Sequence, residues 1–140
     1  MEGKPPRVLN VGQCNLDHSN IQRTLSAAFG AQVERADTLD QAVTRTRAER
    51  FDLVLVNRIL DVDGSTGLDV LRRLQEDDQT RDMPVMLVSN HADAQRAAVA
   101  LGAAPGFGKN ALDDPATVAL LARYLNPQTT QISAEEKPDP

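Results

Sequence analysis

The chain of 140 residues is poor in several residue types, and each shortage excludes something. Aromatic residues make up only 3% and tryptophan is absent, so leucine, valine, isoleucine and alanine must fill any core. The single cysteine, Cys14, cannot form a disulfide within the chain and provides no zinc-type spacing. The formal net charge of -5 lacks the basic excess that nucleic-acid-binding proteins carry.

Long apolar stretches are missing as well. No run approaches the ~18 residues that cross a bilayer, and residues 1–6 lack the apolar core of a signal peptide. We therefore expect a cytoplasmic protein that binds neither a membrane nor a nucleic acid. Hydrophobic residues at 41% and charged residues at 25% are typical of a globular domain, and the length suits one domain. We expect an N-terminal extension at 1–6, the domain at 7–126 and a flexible tail at 127–140, which has little to bury.

Short apolar runs alternate with segments of helical periodicity. The pattern predicts strands at 8–11, 32–35, 51–56, 83–88 and 106–108, with helices at 17–29, 38–49, 68–74, 91–101 and 115–125. The third strand is almost continuously apolar, as a central parallel strand buried on both faces should be. Five strand–helix units with right-handed crossovers predict an α/β fold, a three-layer α/β/α sandwich of flavodoxin-like type. The expected sheet is parallel, with strand order 2-1-3-4-5.

Ligands of open parallel sheets bind at the carboxyl ends of the strands, near the point where the strand order reverses. The residues that follow the predicted strands at this edge are polar or small. They are Gly12, Gln13 and Cys14 after strand 1, Asn57 after strand 3, Ser89 and Asn90 after strand 4, and Lys109 after strand 5.

Four segments carry a family resemblance. FDLVLVN at 51–57, GLDVLRRL at 67–74, PVMLVS at 84–89 and GFGK at 106–109 resemble the receiver domains of bacterial response regulators, and the likeness extends over residues 7–125. The family has two adjacent acids after strand 1, where this chain has Gly12 and Gln13. It has a phosphoacceptor aspartate after strand 3, where this chain has Asn57. Ser89 and Lys109 match the family's conserved hydroxyl and lysine positions.

The departures from the family concern the acids that its reaction needs. Phosphoryl transfer requires a carboxylate nucleophile and a divalent ion that offsets charge, and Mg²⁺ usually needs one or two carboxylates. We therefore expect a degenerate pocket, a pseudo-receiver with no catalytic residue, no metal site, no cofactor and no enzymatic activity. The loop at 61–67 also departs, because it is longer than usual and Asp61 replaces the family's proline.

A two-component signalling module of this kind would act through a protein partner, independently of phosphorylation. The resemblance implies a partner face on helix 4, strand 5 and helix 5, which could also form a homodimer. Because the chain ends soon after helix 5, we expect it to stand alone as an adaptor or scaffold. The residues assigned to this face are His91, Gln95, Arg96, Val99, Phe107, Thr117 and Leu121.

Other interpretations remain open. A small anion or metabolite could be sensed by Lys109, Ser89 and Asn57. A flavin carrier or enzyme is disfavoured, because the loop at 12–17 lacks a phosphate cradle and aromatics are scarce. We expect Lys109 to pair with a neutral oxygen of Asn57 or Gln13, or with a loop carboxylate such as that of Asp61. Several polar residues are expected to have structural roles. We expect Asp61 and Asp63 to belong to a turn rather than to a metal site with Asp17, and Cys14 to be inert. The isolated His18 and His91 are expected to lie in the first turns of helices.

Overall fold

The computed structural model describes residues 4–125 of the chain. Strands and helices alternate through this range, and a short 3-10 helix at Lys109–Ala111 precedes the last helix. The strands are β1 (Arg7–Val11), β2 (Gln32–Ala36), β3 (Leu53–Asn57), β4 (Val85–Val88) and β5 (Ala104–Phe107). The helices are α1 (Asn15–Phe29), α2 (Leu39–Ala48), α3 (Gly67–Glu76), α4 (Ala92–Ala100) and α5 (Pro115–Leu125).

The strands form one parallel sheet in the order β2-β1-β3-β4-β5, which confirms the predicted fold and topology. In the register, Val8 of β1 lies opposite Leu53 of β3, and Val54 of β3 lies opposite Val85 of β4. The most polar strand, β2, lies at one edge, and the short β5 lies at the other. The carboxyl ends of β1, β3 and β4 therefore meet at one edge of the sheet, where the candidate site was predicted.

The apolar residues of the central strands alternate between the two faces of the sheet, as the pleat requires. On one face, residues such as Leu53 and Leu55 pack with the buried residues of α1 and α5. On the other face, Val54 and Val56 pack with α3 and with buried residues of α2 and α4. Each fully buried leucine or valine side chain contributes about 1.5–3 kcal/mol, so these two layers hold the site's strand ends in place.

Residues that favour helix caps set the ends of α1 and α2. Thr38 caps α2 by accepting from the Gln41 backbone N–H, and Gly30 ends α1 in the left-handed region at φ 65°. Helix α1 begins two residues earlier than expected. The reason is Cys14, whose Sγ accepts from the Asp17 backbone N–H at 3.5 Å and caps the helix.

An ion-pair network joins β1, β2 and α2 at the amino end of the sheet. Arg7 Nη2 lies 2.6 Å from Glu34 Oε2 and 2.5 Å from Glu49 Oε1, and Arg45 pairs with the same two carboxylates. The Arg7 guanidinium also lies 4.7 Å from the Phe51 ring centroid. Hydrogen bonds from Arg7, supported by those from Arg45, hold the pKa values of both glutamates below their usual range. We call these four charged residues the Arg7 cluster.

Within residues 4–125, no helix is long and apolar enough to cross a bilayer. The predicted tail at 127–140 lies outside the described residues.

Candidate functional site

The side chain at position 57 is held by hydrogen bonds at both of its polar ends. Asn57 is the last residue of β3, and its Nδ2 donates to the Gly12 carbonyl oxygen at 3.0 Å. Its Oδ1 accepts from the Arg58 backbone N–H at 2.9 Å. The amide therefore ties β3 to the turn after β1, with one N–H of Nδ2 and one lone pair of Oδ1 used in local hydrogen bonds.

The turn after β1 has no space for a side chain at position 12. Gly12 adopts φ +78°, and a Cβ there would overlap Leu60 Cγ and lie 3.0 Å from Leu60 Cα. Leu60 comes from the loop between β3 and α3 and is only 1% exposed. The Asp61 backbone N–H donates to the Gly12 carbonyl at 2.9 Å and fixes this contact. An apolar side chain thus fills the space above the end of β1, which the sequence did not indicate.

Gln13 is buried rather than directed to a ligand. Its side chain is 1% exposed, and within residues 4–125 neither end of its amide has a hydrogen-bond partner. Its backbone carbonyl accepts from Arg35 Nη2 at 3.3 Å. Position 13 therefore contributes neither charge nor an accessible donor to the site.

Lys109 pairs with a residue that the sequence analysis did not assign to it. Its Nζ lies 2.8 Å from Asp17 Oδ2, in a pair whose side chains are 32% and 26% exposed. The expectation of Asn57, Gln13 or Asp61 as partner was wrong. Because α1 begins as early as Asn15, its first turn brings the Asp17 carboxylate to the loop after β5.

A polar cleft of about 270 Å³ opens between the ends of β3 and β4. Within it, Ser89 Oγ accepts from the His91 backbone N–H at 3.1 Å, so part of its polar capacity is used locally. The structure thus brings Asn57, Ser89 and Lys109 together as predicted, whereas Gly12 and Gln13 are buried. The lining residues are Asn57, Arg58, Ile59, Val88, Ser89, Asn90, His91 and Lys109.

The acidic loop after β3 forms a turn, in which the side chain of Asp63 is engaged with backbone N–H groups. Asp63 Oδ1 accepts from the Ser65 backbone N–H at 2.9 Å, and Oδ2 accepts from that of Leu39 at 3.2 Å. These backbone hydrogen bonds, that from Ser65 first, hold the pKa of Asp63 below its usual value. Gly64 turns the chain at φ +72°. The loop is therefore braced against the start of α2.

The donor set at this edge does not fit Mg²⁺. The Asp17 carboxylate is engaged with Lys109, and the Asp63 carboxylate is engaged with backbone N–H groups. Across residues 4–125, no three His, Cys, Asp or Glu side chains are grouped in a way that could hold a metal ion. Neutral groups at positions 12, 13 and 57 offer no charge to a hard dication.

The two histidines lie in different surroundings. His18 Nδ1 is 3.0 Å from Asn10 Nδ2, which can only donate, so the ring accepts at Nδ1. Burial, with a smaller effect of Arg35, lowers the pKa of His18, although Asp37 opposes the shift. This histidine is thus half-buried and paired with Asn10 inside the fold. His91 is the residue before α4 and lines the cleft, and its side chain makes no cap hydrogen bond.

The predicted partner face needs correction. Phe107, Thr117 and Leu121 are buried, with exposures of 6%, 5% and 0%, because the sheet and the inner side of α5 enclose them. They cannot contact a partner in this structure. The other four assigned residues lie on or before α4: His91, Arg96 and Val99 are exposed, and Gln95 is half-buried. An apolar groove of about 490 Å³ runs beside α4, lined by Gln95, Arg96, Val99, Ala100, Pro105 and Gly106.

Comparison with solved structures finds the same fold in many receiver proteins. The chemotaxis response regulator CheY4 of Vibrio cholerae is 20% identical, with a TM-score of 0.69 over 87% of this chain and 100% of that chain. A Burkholderia pseudomallei response regulator, solved with a phosphorylated aspartic acid, a calcium ion and citrate, is 22% identical, with a TM-score of 0.66 over 96% and 75%. The receiver domain of the Pseudomonas aeruginosa PAO1 sensor histidine kinase PA1611, solved with magnesium in its active-site cleft, is 20% identical, with a TM-score of 0.67 over 86% and 98%.

Comparison with curated proteins found no match. Among protein families, the profile described as the response regulator receiver domain matches residues 15–106, a range that contains Asn57 and Ser89 but not Gly12, Gln13 or Lys109. Since this match spans more than half of the chain, the chain belongs to the receiver-domain family of two-component response regulators.

Proposed function

We propose that this receiver domain works as a cytoplasmic pseudo-receiver, a signalling module that does not depend on phosphorylation and acts by binding a protein. The observation that supports this proposal most directly is the Asn57 amide, which stands at the family's phosphoacceptor position and is hydrogen-bonded to Gly12 and to Arg58. An amide oxygen is a poor nucleophile, and this one already accepts a hydrogen bond. The position therefore supports a structural role.

Two relatives illustrate the contrast. The Burkholderia pseudomallei protein holds a phosphorylated aspartic acid, and the Pseudomonas aeruginosa domain holds magnesium in its cleft. In this chain the corresponding strand ends carry Gly12, Gln13 and Asn57, and Leu60 fills the space above Gly12. Neutral side chains and an apolar plug favour neither a metal ion nor a transferring phosphoryl group.

The interaction role rests on the groove beside α4. Val99 is 44% exposed on a helix, and the groove next to it is largely apolar, which is the character of surfaces that bind other proteins. Arg96 stands at its rim and could pair with an acidic group of a partner. The exposed part of the face is thus smaller than the sequence suggested, and it is confined to α4 and the outer edge of β5.

The phosphorylation part is tested by mass spectrometry. Native protein and an Asn57→Ala variant are incubated with acetyl phosphate and Mg²⁺, beside a receiver domain that has an acceptor aspartate. We expect a phosphoryl adduct on the aspartate-bearing receiver alone. An adduct on the native protein that disappears in Asn57→Ala would refute the proposal.

The interaction part is tested by crosslinking in the source cells, followed by capture of the tagged protein. Val99→Glu should abolish a specific crosslink. Val62→Glu is the matched control, because Val62 is also an exposed valine (61%) but lies on the loop after β3. Loss of the crosslink in both variants, or in neither, would count against the α4 face.

A second candidate function, sensing of a small anion or metabolite, is favoured by the cleft itself. Its volume of about 270 Å³ and its lining by Arg58, His91 and Lys109 suit a small anion. The Asp17 carboxylate beside Lys109 weakens this case. A rise in melting temperature with added inorganic phosphate, absent in Arg58→Ala, would favour this function.

A further inference from the structure

The contact between β4 and β5 is irregular. Met86 pairs with Ala104 and Val88 pairs with Phe107, so one residue of β4, Leu87, faces two residues of β5. This is the geometry of a β-bulge. One of the two residues that face Leu87 is Pro105, which has no N–H, and the ladder therefore lacks one backbone donor in this stretch.

A buried backbone carbonyl without a donor is costly, and one carbonyl of this stretch keeps a backbone donor, since the Ser89 N–H donates to the Phe107 carbonyl oxygen at 2.9 Å. The side chain of Gln95 on α4 adds a further donor, whose two N–H groups are shared among the carbonyls around it. Its Nε2 lies 2.9 Å from the Leu87 carbonyl oxygen, 3.1 Å from that of Ser89 and 3.2 Å from that of Phe107. The Nε2 of this one side chain thus lies within hydrogen-bonding distance of backbone carbonyls from both β4 and β5.

The backbone of β5 approaches closely enough for this arrangement only because position 106 is glycine. A Cβ at Gly106 would overlap the Leu87 carbonyl oxygen and would lie 3.0 Å from Gln95 Oε1. The glycine, the bulge and the glutamine therefore form one arrangement. Apart from Gln95, α4 is held by apolar packing, in which Ala98 is its only fully buried residue and Ala94 is partly buried against the core.

We propose that Gln95 is a positioning residue that locks α4 onto the bulged β4–β5 edge and thereby fixes the shape of the groove beside α4. The functional part of this inference rests on the proposed function, because that groove is the proposed partner surface. The lock itself is a property of the fold and can be tested without any partner.

The test is hydrogen–deuterium exchange on the full chain. In Gln95→Met, which keeps the approximate size but removes the donor, protection of amides in 92–107 should fall about ten-fold, equivalent to about 1.4 kcal/mol. Protection of β1 and β3 should not change. The matched control is Gln22→Met on α1, whose Nε2 reaches only one carbonyl, that of Val33 at 3.5 Å, and it should leave 92–107 unchanged.

A donor-restoring variant separates hydrogen bonding from packing. Gln95→Lys places an ammonium group within reach of the same carbonyls and should retain most of the protection, which a purely steric role would not predict. It also provides a folded alternative if Gln95→Met does not fold. Unchanged exchange in 92–107 for Gln95→Met, or an equal loss across the whole sheet, would overturn the lock.

The same variants distinguish the lock from the proposed function. If Gln95→Met loosens 92–107 and also weakens the crosslink that Val99→Glu abolishes, both the lock and the partner surface are supported. If it loosens 92–107 while the crosslink persists, the lock is supported and the groove is not the partner surface. If exchange is unchanged, the lock is wrong whatever the crosslink does.

Discussion

The packing of Leu60 over Gly12 leads to a quantitative prediction about stability. Gly12→Ala introduces a Cβ into a left-handed position at φ +78°, which costs about 1 kcal/mol. It also forces Leu60, which is 1% exposed, away from its present place, and overpacking of this kind costs about 1–3 kcal/mol. We expect Gly12→Ala to lower the free energy of unfolding by about 2–4 kcal/mol in total.

A matched control isolates the steric part of that cost. Gly64 has nearly the same backbone conformation, φ +72°, but a Cβ there would have nothing within 4 Å. Gly64→Ala should therefore cost only the conformational strain, about 1 kcal/mol. Urea denaturation followed by circular dichroism measures both variants. The difference between them reports the contact with Leu60.

A double-mutant cycle completes the test. Leu60→Ala alone should cost about 2–5 kcal/mol, because it leaves a cavity. In the Gly12→Ala, Leu60→Ala protein the new methyl group enters the vacated space, so the double variant should be at least about 1 kcal/mol more stable than the sum of the single effects predicts. Equal costs for Gly12→Ala and Gly64→Ala, or strict additivity in the cycle, would refute the idea that Leu60 occupies the space above Gly12.

Further predictions concern the charges of the site and the edge of the sheet. Asn57→Asp alone should not accept phosphate from acetyl phosphate in a mass-spectrometric assay, because the new carboxylate would face the Gly12 carbonyl, to which the amide now donates, without a metal ion beside it. Asp17→Asn should raise the affinity for inorganic phosphate about five-fold in calorimetry, equivalent to about 1 kcal/mol, since Lys109 loses its counter-ion. Stability should fall on acidification below pH about 4.3, as the carboxyl groups of the Arg7 cluster, whose pKa values are lowered in the folded state, become protonated.

Each of these has an outcome that contradicts it. Rapid labelling of Asn57→Asp would mean that the missing acids after β1 do not limit the reaction. Asp61→Asn is the control for Asp17→Asn, because it removes a negative charge that does not pair with Lys109. An equal gain in phosphate affinity in Asp61→Asn would exclude the Lys109–Asp17 ion pair as the cause. For the Arg7 cluster, the pH dependence of urea midpoints should flatten in Arg7→Met, and an unchanged profile would assign the acid sensitivity to other groups.

The fold was predictable because its signals are local. The apolar runs of the strands act within a few residues, and the structure confirms the sheet that they predict. The strand bounds were less accurate: β3 and β4 begin two residues later than predicted, at Leu53 and Val85, and β5 begins two residues earlier, at Ala104 rather than at residue 106. There Pro105 and the bulge hide the usual alternation, so a sequence pattern of period two cannot locate the strand.

The contacts of the site were less predictable, since they join distant segments. Lys109 and Asp17 are 92 residues apart, and only the tertiary structure brings them together. Three residues of the predicted partner face, Phe107, Thr117 and Leu121, were assigned wrongly for a different reason. Leu121 already belonged to the apolar stripe of α5, and that pattern alone indicates burial against the sheet, so it should have been excluded as a surface residue.

The neutral residues at the strand ends are mutually consistent, which argues against viewing them as isolated losses from a phosphorylation site. An acid at position 12 would overlap Leu60, and an acid at position 57 would set a carboxylate against the carbonyl that now accepts from the Asn57 amide. The remaining cation, Lys109, has acquired a counter-ion in Asp17 from a different element. Gly12, Asn57 and Lys109 thus each make a contact within the protein, and an acid at position 12 or 57 would break such a contact before it could create a functional site, whereas the buried amide of Gln13 has no hydrogen-bond partner among the described residues. The contacts of positions 12 and 57 therefore support the proposal that this pocket has a structural role.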